Sequence, residues 1–167
     1  MNLSETLEQT FQFYLSKIHT AIPAKIVTYD YKTKKASVKP MIKRVLKDDD
    51  GDINEVLSMP IITGVPVIFQ ATVNSSITIP INKDDPVLLI FCERNIDGYL
   101  SEGIESQPAN NRKFDLTDAV CIPGLFSFKD TSQAENNTDL LIKHKGGKIN
   151  IDASGTVTAN DNFEVIV

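Results

Sequence analysis

The sequence predicts an all-β chain with one N-terminal α-helix: a five-stranded barrel of the Greek-key type, then short strands that cannot stand alone. Three observations predict it. Short apolar or alternating runs recur from residue 24 to residue 125, separated by turn signals. Only residues 3–20 carry apolar side chains at the three-and-four spacing of a helix face. Beyond a polar stretch at 129–139, thin apolar stripes return at a period of about eight residues.

The helix is read from Leu7, Phe11, Tyr14, Leu15 and Ile18 on one face and Glu5, Glu8, Gln9, Gln12 and Lys17 on the other. Ser4 is the candidate N-cap and Pro23 the stop. Such a face either docks on a partner or packs on its own domain. The chain then turns to β. Ala24–Tyr31 and Ala36–Val45, joined by Lys32-Thr33-Lys34-Lys35, read as a hairpin. Ala36, Val38, Pro40 and Ile42 form the dry face of its second strand, and Lys39 and Lys43 the wet one. Asp48-Asp49-Asp50 is a solvated turn, because Glu55 is too near to complete a calcium loop.

Val65–Phe69 and Ser76–Ile81 read as strands. Pro86–Glu93 is continuously apolar and reads as a strand buried on both sides. Residues 94–113 suggest a short helix and a loop, and Phe114–Leu125 packs back on the barrel. Five long strands make the five-stranded oligonucleotide/oligosaccharide-binding (OB) barrel the economical architecture. The domain organisation is therefore 1–20 helix, 21–128 barrel, 129–139 linker and 140–167 short strands. Gly146-Gly147, Asp152–Gly155 and Asn160–Asn162 divide the last segment into four strands. Each carries one thin apolar stripe, so they need a solenoid or other copies of the chain to bury it.

Composition narrows the function. The 167 residues are 41% hydrophobic and 23% charged, which excludes a disordered chain. A net charge of −5 argues against bulk nucleic-acid binding. No run is apolar enough for a membrane span, and Glu5 and Glu8 stand where a signal peptide is basic. The expected site of synthesis is a cytoplasm, in which Cys92 and Cys121 are reduced core residues. Two histidines, His19 and His144, leave little for a triad or a histidine metal site.

Five blocks in series resemble the phage baseplate central-spike family, the Mu-like and related membrane-piercing spikes of contractile tails. They are Thr20–Val27 with Ala36–Pro40; Gly64–Phe69; Ile79–Ile81 with Asp85–Phe91; Glu93–Asp97; and Arg112–Val120 with Ile122–Leu125. The resemblance covers about residues 15–125. It implies an OB-fold domain used structurally, a homotrimer, and an intertwined trimeric β-helix in which three chains share one axis. It further implies attachment to a tail hub protein and penetration of the host envelope on sheath contraction. The expected place is the virion tail baseplate, assembled in the host cytoplasm. One departure stands out. Such spikes commonly end in a His-x-His motif that holds iron at the tip, whereas this sequence stops at Val167 without one. A blunt spike, a separate tip-capping protein or a truncated chain would each account for that.

Under this reading the functional residues are packing residues. The trimer core is assigned to Ile142, Ile149, Ile151, Val157, Phe163 and Val165. No catalytic or cofactor-binding residue is assigned, no cofactor is expected, and the protein is read as a structural protein and not an enzyme. His144 shares the parity of Leu140 and Ile142, so three copies on an axis are a candidate metal site, with a solvent-facing histidine as the plainer alternative. Glu93, Arg94 and Asp97 lack a nucleophile beside them, and Arg94 is expected to pair with a carboxylate at a subunit contact. Asp115 and Asp118 read as turn or cap residues. The lysines of 32–47, with Tyr29 and Tyr31, support the alternative function, an OB-fold protein binding single-stranded nucleic acid. Too few aromatics accompany them to prefer it, and no nucleic-acid partner is expected.

Overall fold

A computed structural model of the chain describes residues 2–16, 18–47, 52–130 and 136–160. The chain divides into two compact units, Met1–Phe126 and Ser127–Val167. The first begins with helix α1, Leu3–Leu15. Its cap is Asn2 and not Ser4: Asn2 Oδ1 accepts the Ser4 N–H at 3.1 Å. The helix ends well before Pro23. Ser16 Oγ satisfies the Phe13 carbonyl at 2.8 Å, and by Thr20 the backbone already pairs with Phe91 in the sheet. Ile18 thus leaves the stripe that it continues on paper.

Five antiparallel strands make the barrel: β1 Ala21–Asp30, β2 Lys35–Pro40, β5 Ile62–Pro66, β8 Pro86–Phe91 and β9 Ala119–Pro123, in the order β5-β2-β1-β8-β9. Two small ladders interrupt the series, β3 Arg44–Lys47 with β4 Ile53–Leu57, and β6 Gln70–Ala71 with β7 Ser76–Ile77. The sheet curls until its ends meet. Val67, just past β5, bridges Cys121 of β9 in parallel, and the Ile68 N–H donates to the Cys121 carbonyl at 2.9 Å. Five antiparallel strands closed by one parallel contact form the OB-like arrangement. A β-bulge between Ile26 and Thr28 gives β1 the extra twist to serve both halves.

The core is the barrel interior. Ile26, Val38, Val65, Val87, Leu89 and Cys121 are buried there, and Ile22, Tyr29, Phe69, Ile81 and Leu116 pack against it. The single strand expected over 36–45 is two. Pro40 has no N–H to offer a further partner, the Met41 N–H makes the last bond to β1, to the Pro23 carbonyl at 2.9 Å, and Ile42 beyond it is exposed. The strand expected over 76–81 ends at Ile77. β8 is not buried on both faces. Val87, Leu89 and Phe91 point inward, whereas Leu88 and Ile90 are half-buried on the outer surface. Leu88 is flanked there by Pro23 and Ile122, and Ile90 by Ala21 and Val120. Cross-strand apolar neighbours on the barrel exterior therefore explain the continuous run. Between β8 and β9 lies the short helix α2, Asp97–Glu102, closed by Gly103 in the left-handed conformation.

The second unit is an antiparallel meander, β10 Leu140–His144, β11 Gly147–Ile151 and β12 Val157–Ala159. Three of the four expected strands are therefore present. The fourth, with Phe163 and Val165, lies outside the described residues, as do Asp48–Asp50 and the middle of the linker.

Candidate functional site

One face of the second unit's meander carries a row of exposed apolar side chains. Register places Leu140, Ile151 and Val157 in one row and Ile142, Ile149 and Ala159 in the next, and cross-strand partners share a face. Leu140, Ile142 and Val157 are each about three-fifths exposed and Ile149 is 40% exposed. Four of the six assigned core residues thus stand on one face, brought there by period-two alternation and two tight turns. Both turns are well made. Lys145 is left-handed in the first. In the second, Asp152 Oδ1 accepts the N–H groups of Ser154 and Thr156 at 2.8 and 3.0 Å, and Gly155 takes φ +85°. The bond from the Ser154 hydroxyl above all, and then these backbone bonds, hold the Asp152 carboxyl below its ordinary value. The opposite face carries the half-buried Leu141 in one row with Asn150 and Thr158, and Asn150 Nδ2 donates to Asp139 at 3.1 Å.

His144 ends the apolar face opposite Gly147 and is exposed. Among the described residues, no three His, Cys, Asp or Glu side chains stand close enough to hold a metal.

A polar clasp closes one end of the barrel. Asp118 is 1% exposed, and Arg112 grips it with two bonds, Nε to Oδ2 at 3.1 Å and Nη2 to Oδ1 at 3.3 Å. Asn95 Nδ2 donates at 2.8 Å to both Asp118 Oδ1 and Asp97 Oδ2, while its own Oδ1 is buried without a partner. The Asp118 carbonyl accepts the Cys92 N–H. The Asp118 bonds, followed by the nearby Asp118, Asp115 and Asp97 charges, raise the Arg112 pKa above its ordinary value. Asp118 is therefore a buried ion-pair residue and not a cap. Asp115 is the turn residue, with Oδ1 accepting the Thr117 hydroxyl at 2.6 Å and the Thr117 N–H at 2.9 Å, which holds its carboxyl below the ordinary value. Arg94 sits 3.6 Å from its own neighbour Glu93 at the surface.

The basic hairpin turn is capped by Asp30, which accepts the Lys32 N–H at 2.9 Å and the Thr33 hydroxyl at 3.0 Å. Lys34, left-handed at φ 59°, completes it. Beside it runs a groove of about 780 Å³, lined by Tyr29, Tyr31, Lys34, Phe69, Ile79 and Ile81 among others. Phe69 is a third aromatic that linear reading did not join to the tyrosines, since it arrives from beyond β5. Tyr29 packs against the core and so is not a free stacking platform.

Residues 22–124, more than half of the chain, match the family described as the phage protein Gp138 N-terminal domain. No curated protein matches the chain.

Proposed function

The chain belongs to the phage protein Gp138 N-terminal domain family, a phage structural family, and from that premise we propose that it is the central spike of a contractile-tail baseplate. In this reading three copies associate through the meander, the barrels attach to the tail hub, and the assembly pierces the host envelope when the sheath contracts. The observation that carries it is the uncovered apolar face of Leu140, Ile142, Ile149, Ile151 and Val157. An apolar face left bare on three short strands costs free energy in water, and a threefold arrangement would turn those faces into a shared core. The work is mechanical. The sheath supplies the free energy, and a β-structure with few open edges supplies resistance to unfolding under load. The protein is accordingly proposed to act without catalysis.

Light scattering of the purified chain tests this. The expected species has three times the 18.5 kDa chain mass and persists at high salt. Labelled antibody on intact tails is expected at the baseplate end. A monomer at all concentrations and salts, with no labelling of tails, overturns the proposal.

A further inference from the structure

Helix α1 carries a stripe of Leu3, Leu7, Phe11, Tyr14 and Leu15 that the single chain leaves between 51% and 75% exposed. A stripe of that width is stable in water only when something covers it. Its charge narrows the occupant. Residues 2–16 contain Glu5 and Glu8 and no Lys, Arg or His. Packing copies of α1 on one another would bring like charges together at the edge of the stripe. An anionic lipid surface would repel the helix for the same reason. A basic, apolar groove is the complementary surface, and the barrel has one: Tyr29, Tyr31, Phe69, Ile79 and Ile81, with Lys34 in the lining and Lys32 Nζ 6.0 Å from the Tyr31 ring centre.

We propose that α1 of one copy docks its apolar stripe in this groove on a neighbouring copy, with Glu8 facing the Lys32–Lys34 turn. This rests on the trimeric reading above. The groove of the same chain is out of reach for the C-terminal half of the stripe. Residues 16–20 let Leu15 stand at most about 20 Å from Ala21. The groove lies at the other end of β1, about 30 Å along the strand. In an assembly of copies a neighbour's groove carries no such restriction. Helix-in-groove docking of this kind is read by side chains at i, i+4 and i+7, which Leu7, Phe11 and Tyr14 supply.

The test uses the full chain with benzoylphenylalanine in place of Phe11, prepared as a mixture of light and isotopically heavy copies. Irradiation is expected to give covalent dimers that map to residues 29–34 and 69–81 of the other copy. Glu8→Lys and Lys34→Glu should each lower the yield about two- to five-fold, and the two together should restore it. Cross-links within one copy, between two α1 helices or onto the meander overturn the inference, as does a yield indifferent to both charge changes. Light scattering of the same samples separates the two levels. A trimer with misplaced cross-links refutes the docking alone, whereas a monomer refutes the trimer and the docking together.

Discussion

Ile142→Asp is the most informative single change. Ile142 stands 59% exposed on the apolar face of the meander, in the middle of β10. Covering the remainder of such a side chain contributes about 1–2 kcal/mol per chain, hence about 3–6 kcal/mol for three copies. Replacing it with aspartate removes that term and adds like-charge repulsion among carboxylates held at one level of a shared core. At 1.4 kcal/mol per factor of ten, the trimer constant should fall by roughly two to four orders of magnitude. Light scattering over a dilution series reads this as a shift from trimer to monomer at working concentration. Ile142 is a better target than Ile151, which is half-buried and flanked within its own chain by Leu140 and Val157, so that an aspartate there would also disturb the single meander. Thr158→Asp, exposed on the opposite face, is the matched control and should leave the mass unchanged. Should Ile142→Asp remain a salt-resistant trimer while Thr158→Asp dissociates, the inward and outward faces have been assigned the wrong way round. If both remain trimeric, the meander is not the site of association.

Other expectations concern the barrel. Asp118→Asn leaves Arg112 facing a neutral amide and should lower stability by about 1–3 kcal/mol, moving the urea midpoint down by about 1 M without changing the slope. His19 stacks at 5.4 Å on Phe91, and its pKa is lowered below 6.5 by burial, then by the Arg44 charge, against a weaker opposing pull from Asp115. The unfolded chain therefore binds the proton more readily, so this contribution to stability is present above pH 6.5 and is lost as pH falls through the lowered value. Thermal unfolding followed from pH 7.5 downward should show that loss in the wild type, with a smaller slope in His19→Gln. Burial pushes the Cys121 thiol up to about 11. In native protein at pH 8 it should alkylate about a hundredfold more slowly than a free thiol, and equal labelling before and after urea would contradict its place in the core.

The architecture was legible because the barrel's inner face obeys the simplest pattern a sheet has. Ala36, Val38 and Pro40 alternate with lysine or serine and are buried, and the glycine and aspartate turns fall between strands. What was misread shares a physical cause, a residue whose role depends on a neighbour distant in sequence. The run Pro86–Phe91 looked buried on both sides because Leu88 and Ile90 are as apolar as Val87 and Leu89. Their cover is only the flanking strands, and no one-dimensional pattern distinguishes a cross-strand isoleucine from a second layer. The strand over 36–45 looked continuous because its parity holds to Ile42. The ladder with β1 instead ends at the Met41 N–H, bonded to Pro23, and Ile42 beyond it is exposed.

The clasp makes the same point about sites. Glu93–Asp97 and Arg112–Val120 were noticed as separate blocks, and within them Arg94 and Asp115 looked as informative as their neighbours. The fold selects differently. Asn95 reaches Asp118 across twenty-three positions, and Arg112 arrives from the loop to complete the fork, while Arg94 remains on the surface beside Glu93. An arginine, an asparagine and an aspartate so arranged hold the α2 connection against the start of β9, and they do so at the price of a buried carboxylate. Breaking the pair by removing one partner leaves an uncompensated buried charge, so all three side chains hold their places together. Loosening the clasp with Asp118→Asn should therefore soften this end of the barrel while leaving the oligomeric mass unchanged, since none of its residues belongs to the C-terminal meander.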